Sequence, residues 1–425
     1  MNKQPPHYIH YMYSYPHKTA YRPFNLPVSL SPYINKVKGR RASLYFHIPF
    51  CRYKCGFCNL FSLQSCNTSK IDAYLDTMYR QACQLSPLTE KLTFDAFAIG
   101  GGTPLLLSVA QLDKLFEIAA LFGVSAGEVS TSIETSPDYT DRHVLRFLKE
   151  KDVERLSIGV QSFLTEELLS IKRSTPVSVI ETALDTIRQM DFPQFNIDLI
   201  YGIEGQTEES FLSSIQRALQ YQPTELFLYP LYIRSGVRIA GKVNNELLFK
   251  MYTAGRNELQ KAGFKQTSMR RFVQDSNATG PEHSCGDELM ISCGCGARSY
   301  IGELHYATSY AVGQPQIKSI IDAYIETTDF TTITNGYLLS EEEKQRRYLI
   351  KNLMYYRGIE KADYWRRFGE PVPPVTFKPL IDKDLVEDKE GFIRLTAEGM
   401  AYSDDIGQLF ISPNVRKQMD DYLLE

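Results

Sequence analysis

The chain has 425 residues, 43% of them apolar and 23% charged, and a net charge of −3. A near-neutral balance excludes broad electrostatic attraction to nucleic acid or to an anionic membrane, and the length predicts two or three globular domains of about 100–200 residues each. No apolar run approaches the roughly 18–20 residues of a membrane span, and the polar start does not read as a signal peptide, so a cytoplasmic location is expected.

In chain order, residues 1–41 carry many Tyr and basic side chains without periodicity and predict an extended arm. Ser43 to Ile48 reads as a strand, and Lys70 to Leu85 as a helix. Further strands are expected near 94–99, 129–134, 155–160, 195–200 and 225–229, with helices near 110–122, 141–150, 177–190 and 208–221. Alternation of this kind predicts an α/β fold with a parallel sheet, here a partial (β/α)6 barrel over 42–235, whose reactive face lies at the carboxyl ends of the strands. A segment at 236–335 then completes the site. Residues 336–425 predict an α+β module: helices near 341–355 and 361–368, then a small hairpin around Lys389-Glu390-Gly391, a winged-helix-like pattern. The acidic run Glu341-Glu342-Glu343 reads as a solvated helix start, where acidic side chains suit the helix dipole.

Eight cysteines, three of them clustered, read as metal ligands plus buried thiols rather than a secreted disulfide framework. The cluster is Cys51, Cys55 and Cys58, a C-x3-C-x2-C loop. Three thiols can hold an iron-sulfur cube and leave one iron open to a chelating ligand, whereas a cluster with four Cys ligands is better suited to passing electrons. Cys at this spacing could instead form the buried face of a helix, but Gly56 disfavours a helix and the loop follows a strand and Pro49. Zinc is the chemical rival, and would want a fourth ligand from His47 or Cys66, the only ones close in sequence.

The run Tyr45-x-His47-x-Pro49-Phe50-Cys51-x3-Cys55-x-Phe57-Cys58 resembles the signature of the HemN/HemW group of radical S-adenosylmethionine (SAM) proteins. That group includes oxygen-independent coproporphyrinogen III oxidase, haem chaperones and HemN-like methyltransferases. The resemblance implies a [4Fe-4S] cluster held by Cys51, Cys55 and Cys58, with SAM chelated at the open iron and split reductively to a 5′-deoxyadenosyl radical that modifies an organic substrate. It also implies one or two SAM molecules, a porphyrin or haem as small-molecule partner, and a reduced donor such as flavodoxin or ferredoxin. The alternative within the group is a HemW-type chaperone that binds and delivers haem. A nucleic-acid role through the C-terminal module is disfavoured, because that region lacks a basic stripe.

Other positions match the family's SAM-binding pattern. Gly101, Gly102 and Thr103 follow the second predicted strand, where glycines let backbone approach an ammonium group closely; taken alone the run is a tight turn. Glu134 and Gln161 end strands and could accept ribose hydroxyls, although strand-end polar residues are often merely solvated. Arg173 could pair with the methionine carboxylate, or be a surface arginine. Asp198 lies within an apolar strand, where a carboxylate is costly unless partnered, and this favours a role on its own account. Tyr45 and His47 share one strand face. Both could be core residues, but the matching family residues lie against the cluster and SAM, which implies a catalytic role, for Tyr45 along with cofactor contact.

Three features fall outside that pattern. Cys285, Cys293 and Cys295 with His283 fit no ligand spacing, and the Gly294-Cys295-Gly296-Ala297 segment resembles a structural family motif, with an auxiliary metal or haem contact as the alternative. Cys66 and Cys83 read as ordinary thiols. Asn59-Leu60 follows Cys58 where the true oxidase carries a further Cys, which counts against coproporphyrinogen decarboxylation.

Overall fold

A computed structural model describes residues 6–8, 11–232, 244–274 and 289–422. Seven strands form a parallel run in the order Leu289–Cys293, Arg41–Ile48, Thr93–Gly101, Ser130–Thr135, Arg155–Gln161, Gln194–Tyr201, Glu225–Pro230. The last six are the predicted β/α strands, and the incomplete barrel is therefore an open, mostly parallel sheet. Antiparallel strands extend it on both sides to thirteen in all.

Alternation along each strand explains both faces. Leu44, Phe46, Ile99, Ile133, Ile158, Ile197 and Leu226 are fully buried on one face. Their neighbours on the other face are Tyr45, His47, Ser132, Glu134, Ser157, Asn196 and Asp198. A parallel sheet covered on both sides would be apolar on both; the polar face here carries an exposed Glu134 and a half-buried Asp198. Helices Val109–Ala120, Arg142–Glu150, Val177–Met190 and Glu208–Leu219 connect the strands close to the predicted positions. Their starts follow capping chemistry: Ser108 with Gln111 and Thr207 with Ser210 form reciprocal caps, and Asp141 accepts from the amides of His143 and Val144. The sequence reading missed the short helix Thr165–Ser170.

The N-terminal segment corrects the expectation of an extended arm. Arg22–Ser29 is an edge strand paired antiparallel with Thr332–Leu338, and Ser31–Lys36 is a helix. Tyr8, Tyr15 and Tyr21 are buried. Periodicity was absent because single rings and backbone groups make the contacts: Tyr15 Oη donates to Glu343, and the Met12 amide donates to Asp404 Oδ1 at 3.0 Å.

Glu343 is a second correction. Glu341 and Glu342 are solvated as expected, but Glu343 is buried and also accepts from Ser412 Oγ at 2.6 Å. In the C-terminal module, helices Glu341–Leu353 and Lys361–Phe368 precede the antiparallel hairpin Val386–Lys389 and Phe392–Leu395. Among the described residues no helix is long and apolar enough to cross a membrane.

Candidate active site at the carboxyl ends of the strands

The loop carrying Cys51, Cys55 and Cys58 leaves the strand Arg41–Ile48 at its carboxyl end and is braced at several points. The Gly56 amide donates to Ile171 O at 2.8 Å, Tyr310 Oη to Asn59 O at 2.8 Å, and Gln314 Nε2 to Ser62 O at 2.9 Å. The three thiols are half-buried and free of disulfides. Burial, with Cys58 and Cys55 nearby, pushes Cys51 up to about 11, and burial also raises Cys55 despite Arg173. Such thiols are neutral until a metal replaces their protons.

The glycine loop lies directly on the Cys loop. Gly102 N–H donates to Ile48 O and Thr103 N–H to Phe50 O, each at 2.8 Å, while Thr103 Oγ1 stands 3.6 Å from Cys51 Sγ. A Cβ on Gly102 would stand 2.4 Å from Phe50 O and 2.9 Å from Cys51 Sγ, so this residue must be glycine for the two loops to touch. Gly102→Ala should therefore at least halve the iron bound after reconstitution and destabilise the protein by about 1–3 kcal/mol. Iron analysis and urea unfolding check both.

His47 sits between two glycines: a Cβ on Gly101 or on Gly296 would come within 2.9 Å of its ring. Burial lowers its pKa to about 4, so the ring is neutral at pH 7. Phe61 O, which can only accept, lies 2.9 Å from Nε2, so the proton is on Nε2 and Tyr45 Oη, 3.0 Å away, donates to Nδ1. Tyr45 and His47 thus form one oriented pair.

On the neighbouring strand Ser130–Thr135, Glu134 accepts from Gly101 N–H at 3.2 Å. Glu134 keeps exposed surface yet protein closely surrounds it, and burial raises its pKa. Gln161 ends its strand at φ +76°, at a register shift. Arg173 is buried rather than solvated: it donates to Gly159 O at 2.6 Å, and its Nε has no partner among the described atoms.

Asn196 was not singled out from the sequence, although an Asn two residues before an intra-strand Asp is the available signal. Its Nδ2 bridges Ser157 Oγ at 2.7 Å and Asp198 Oδ1 at 2.8 Å. Burial raises Asp198 from 3.8 to about 7, against the pull of the Asn196 hydrogen bond. The folded protein therefore keeps a proton that the unfolded chain releases near pH 4. Stability should fall as pH rises from about 4 to about 7, by up to about 1.4 kcal/mol per pH unit, and Asp198→Asn should flatten that slope in unfolding measurements. Below the polar ring, Glu225 accepts from Arg155 at 2.9 Å and Arg271 at 2.6 Å. Burial opposes ionisation of Glu225, but the two guanidinium groups outweigh it and hold its pKa low.

The remaining cysteines differ in burial. Cys293 and Cys295 are fully buried, Cys293 ending a strand and Cys295 lying beyond it. Burial pushes both thiols up, as suits structural residues. Cys285 and His283 lie outside the described residues. Cys66 and Cys83, expected to be buried, are exposed.

Among the described residues, no three His, Cys, Asp or Glu side chains are arranged around a single ion. The donor set instead suits a larger cluster. Three neighbouring thiols, a hydroxyl aimed at one sulfur, a buried guanidinium with an orphaned Nε, and carboxyls on the same polar face of the sheet fit a [4Fe-4S] cluster and a zwitterionic nucleoside such as SAM.

Comparison with known proteins agrees with this donor set. Residues 45–218 match the radical SAM superfamily. The HemW haem chaperone of Bacillus subtilis is 26% identical over 384 residues, which span 87% of this chain and 99% of that protein. Oxygen-independent coproporphyrinogen III oxidase of Escherichia coli is 28% identical over 391 residues, 85% of this chain and 83% of that protein. The solved structure of coproporphyrinogen III oxidase (HemN) from Escherichia coli superposes with a TM-score of 0.79 at 24% identity, covering 90% of this chain and 92% of that one. Residues 45–218 form a radical SAM domain, and that class implies a [4Fe-4S] cluster and SAM. Along most of its length the chain is similar to HemW and HemN proteins.

Proposed function

We propose that this protein cleaves SAM reductively at a [4Fe-4S] cluster held by Cys51, Cys55 and Cys58, and so modifies an organic substrate. The observation that carries this reading is the contact of the glycine loop with the Cys loop at the carboxyl ends of the parallel strands. When bound, the cluster and SAM supply one-electron scission of a carbon-sulfur bond, chemistry that belongs to the cofactors.

The chain's own residues bind, orient and exclude water. Gly101, Gly102 and Thr103 would take the methionine ammonium, and Arg173, buried with a free Nε, would take its carboxylate. Glu134, Gln161 and Asp198 would receive the ribose and neighbouring polar groups. An Asp198 that holds its proton near neutrality can donate as well as accept. The Tyr45–His47 pair would stand over the reacting centre with its hydrogen-bond direction already set. Electrons would come from a reduced flavodoxin or ferredoxin. One SAM fills these residues; a second would mark a methyl-transfer or carbon-carbon bond-forming variant.

A tetrapyrrole is the substrate class suggested by the relatives' names. Asn59-Leu60 after Cys58 sets the chain apart from the oxidase pattern. Haem delivery is the second reading, favoured by the match over 99% of the HemW relative. Anaerobic reconstitution followed by assay separates them. SAM turnover to 5′-deoxyadenosine or S-adenosylhomocysteine supports the enzyme, and tight haem binding and transfer without turnover supports the chaperone.

A further inference from the structure

Tyr53 lies midway between Cys51 and Cys55, two of the proposed cluster ligands. Its hydroxyl donates to Asp138 Oδ2 at 2.5 Å and lies 2.5 Å from Thr175 Oγ1, and Thr175 Oγ1 donates to the same Asp138 oxygen at 2.8 Å. Two hydroxyls thus share one carboxylate oxygen. The corners of this triangle come from three loops: Tyr53 from the Cys loop, Asp138 from the turn Pro137–Tyr139 after the strand Ser130–Thr135, and Thr175 from the stretch before the helix Val177–Met190. Thr175 is buried and the other two are half-buried, which limits competition from water.

The triangle is one of two ties between the same stretches of chain, because the Gly56 amide donates to Ile171 O at 2.8 Å. Residues 53–56 and 171–175 therefore run antiparallel and are pinned at both ends. Cys55 falls between the pins at Tyr53 and Gly56, and Arg173 between those at Ile171 and Thr175. Two residues of chain reach at most about 7 Å, so neither side chain can move far from a pin. The Arg173 charge acts on the Cys55 thiol, against the larger effect of burial. Arg173 is itself held by Gly159 O at 2.6 Å, and its Nε has no partner among the described atoms.

We propose that Tyr53, Asp138 and Thr175 are positioning residues whose shared hydrogen bonds keep the Arg173 guanidinium in register with Cys55, so that it meets the carboxylate of SAM. The inference deepens the proposed function and rests on it for the cluster and for the role of Arg173. A guanidinium recognises a carboxylate through directed hydrogen bonds, so a small displacement of its loop costs affinity. Asp138 follows Glu134 by four residues, and the third corner thereby ties the pair to the strand end proposed to receive the ribose.

The test is calorimetric binding of SAM, and of decarboxylated SAM, which lacks the carboxylate, to the oxidised, reconstituted full chain, scaled to its iron. Tyr53→Phe and Thr175→Val each remove one hydroxyl; each should weaken SAM about tenfold and leave the decarboxylated analogue within about twofold of its wild-type affinity. Thr175→Ser, which keeps the hydroxyl, should bind SAM as the wild type does. Three results would overturn the proposal: SAM affinity unchanged in both hydroxyl-free variants, an equal loss for both ligands, or loss of the cluster itself. The triangle would then be idle, a general brace, or a support for the iron alone. A wild-type protein that holds iron but binds no SAM would sink the functional reading and this inference with it, whereas unchanged variants of a SAM-binding wild type would sink the inference alone.

Discussion

Arg270→Met should destabilise the protein by about 3–5 kcal/mol, the cost of leaving a buried carboxylate without its cation. Arg270 and Asp404 form an ion pair in which each side chain is only 6% exposed. Asp404 also accepts from Tyr232 Oη at 2.6 Å and from the Met12 amide, while the Arg270 guanidinium lies 4.0 Å over the Tyr11 ring. One charge pair thus fastens the N-terminal segment, the antiparallel edge of the sheet and the helix Ser403–Leu409 together. Asp404→Leu combined with Arg270→Met removes both charges and should recover much of the loss. Urea unfolding decides the matter: a single-variant loss below about 1 kcal/mol would mean that the pair is not the fastening.

The second large effect is chemical. Cys51→Ala, Cys55→Ala and Cys58→Ala should each lower reconstituted iron from about four per chain towards zero. SAM cleavage should drop below detection in the same samples. Cys66→Ala, an exposed thiol outside the site, should change neither. If one of the three loop variants kept full iron, the ligand set would need another donor.

Much of this was legible in the sequence because local chemistry produced it. The strand and helix periods are local, and so are the caps that start the helices, so element positions held to within a few residues. The Cys loop could be read because its spacing lets three thiols converge, whereas the glycine loop, by itself a tight turn, was legible only through its resemblance to the family pattern. Long-range partners were not legible. Glu343 reads as a solvated helix start until Tyr15 and Ser412, 328 and 69 residues away, are placed on it. Arg173 reads as a surface residue until its burial against Gly159 O is seen. The N-terminal segment carries no period because its tyrosines anchor singly, and a single anchoring contact leaves no pattern along the chain.

The central claim is an open iron that SAM can reach. Its most direct measurement is the electron paramagnetic resonance spectrum of the reduced, reconstituted protein with and without SAM. The account predicts a signal of a reduced [4Fe-4S] cluster that shifts when SAM is added and is missing in Cys55→Ala. A cluster signal that SAM leaves unchanged, under conditions where SAM is bound, would contradict it.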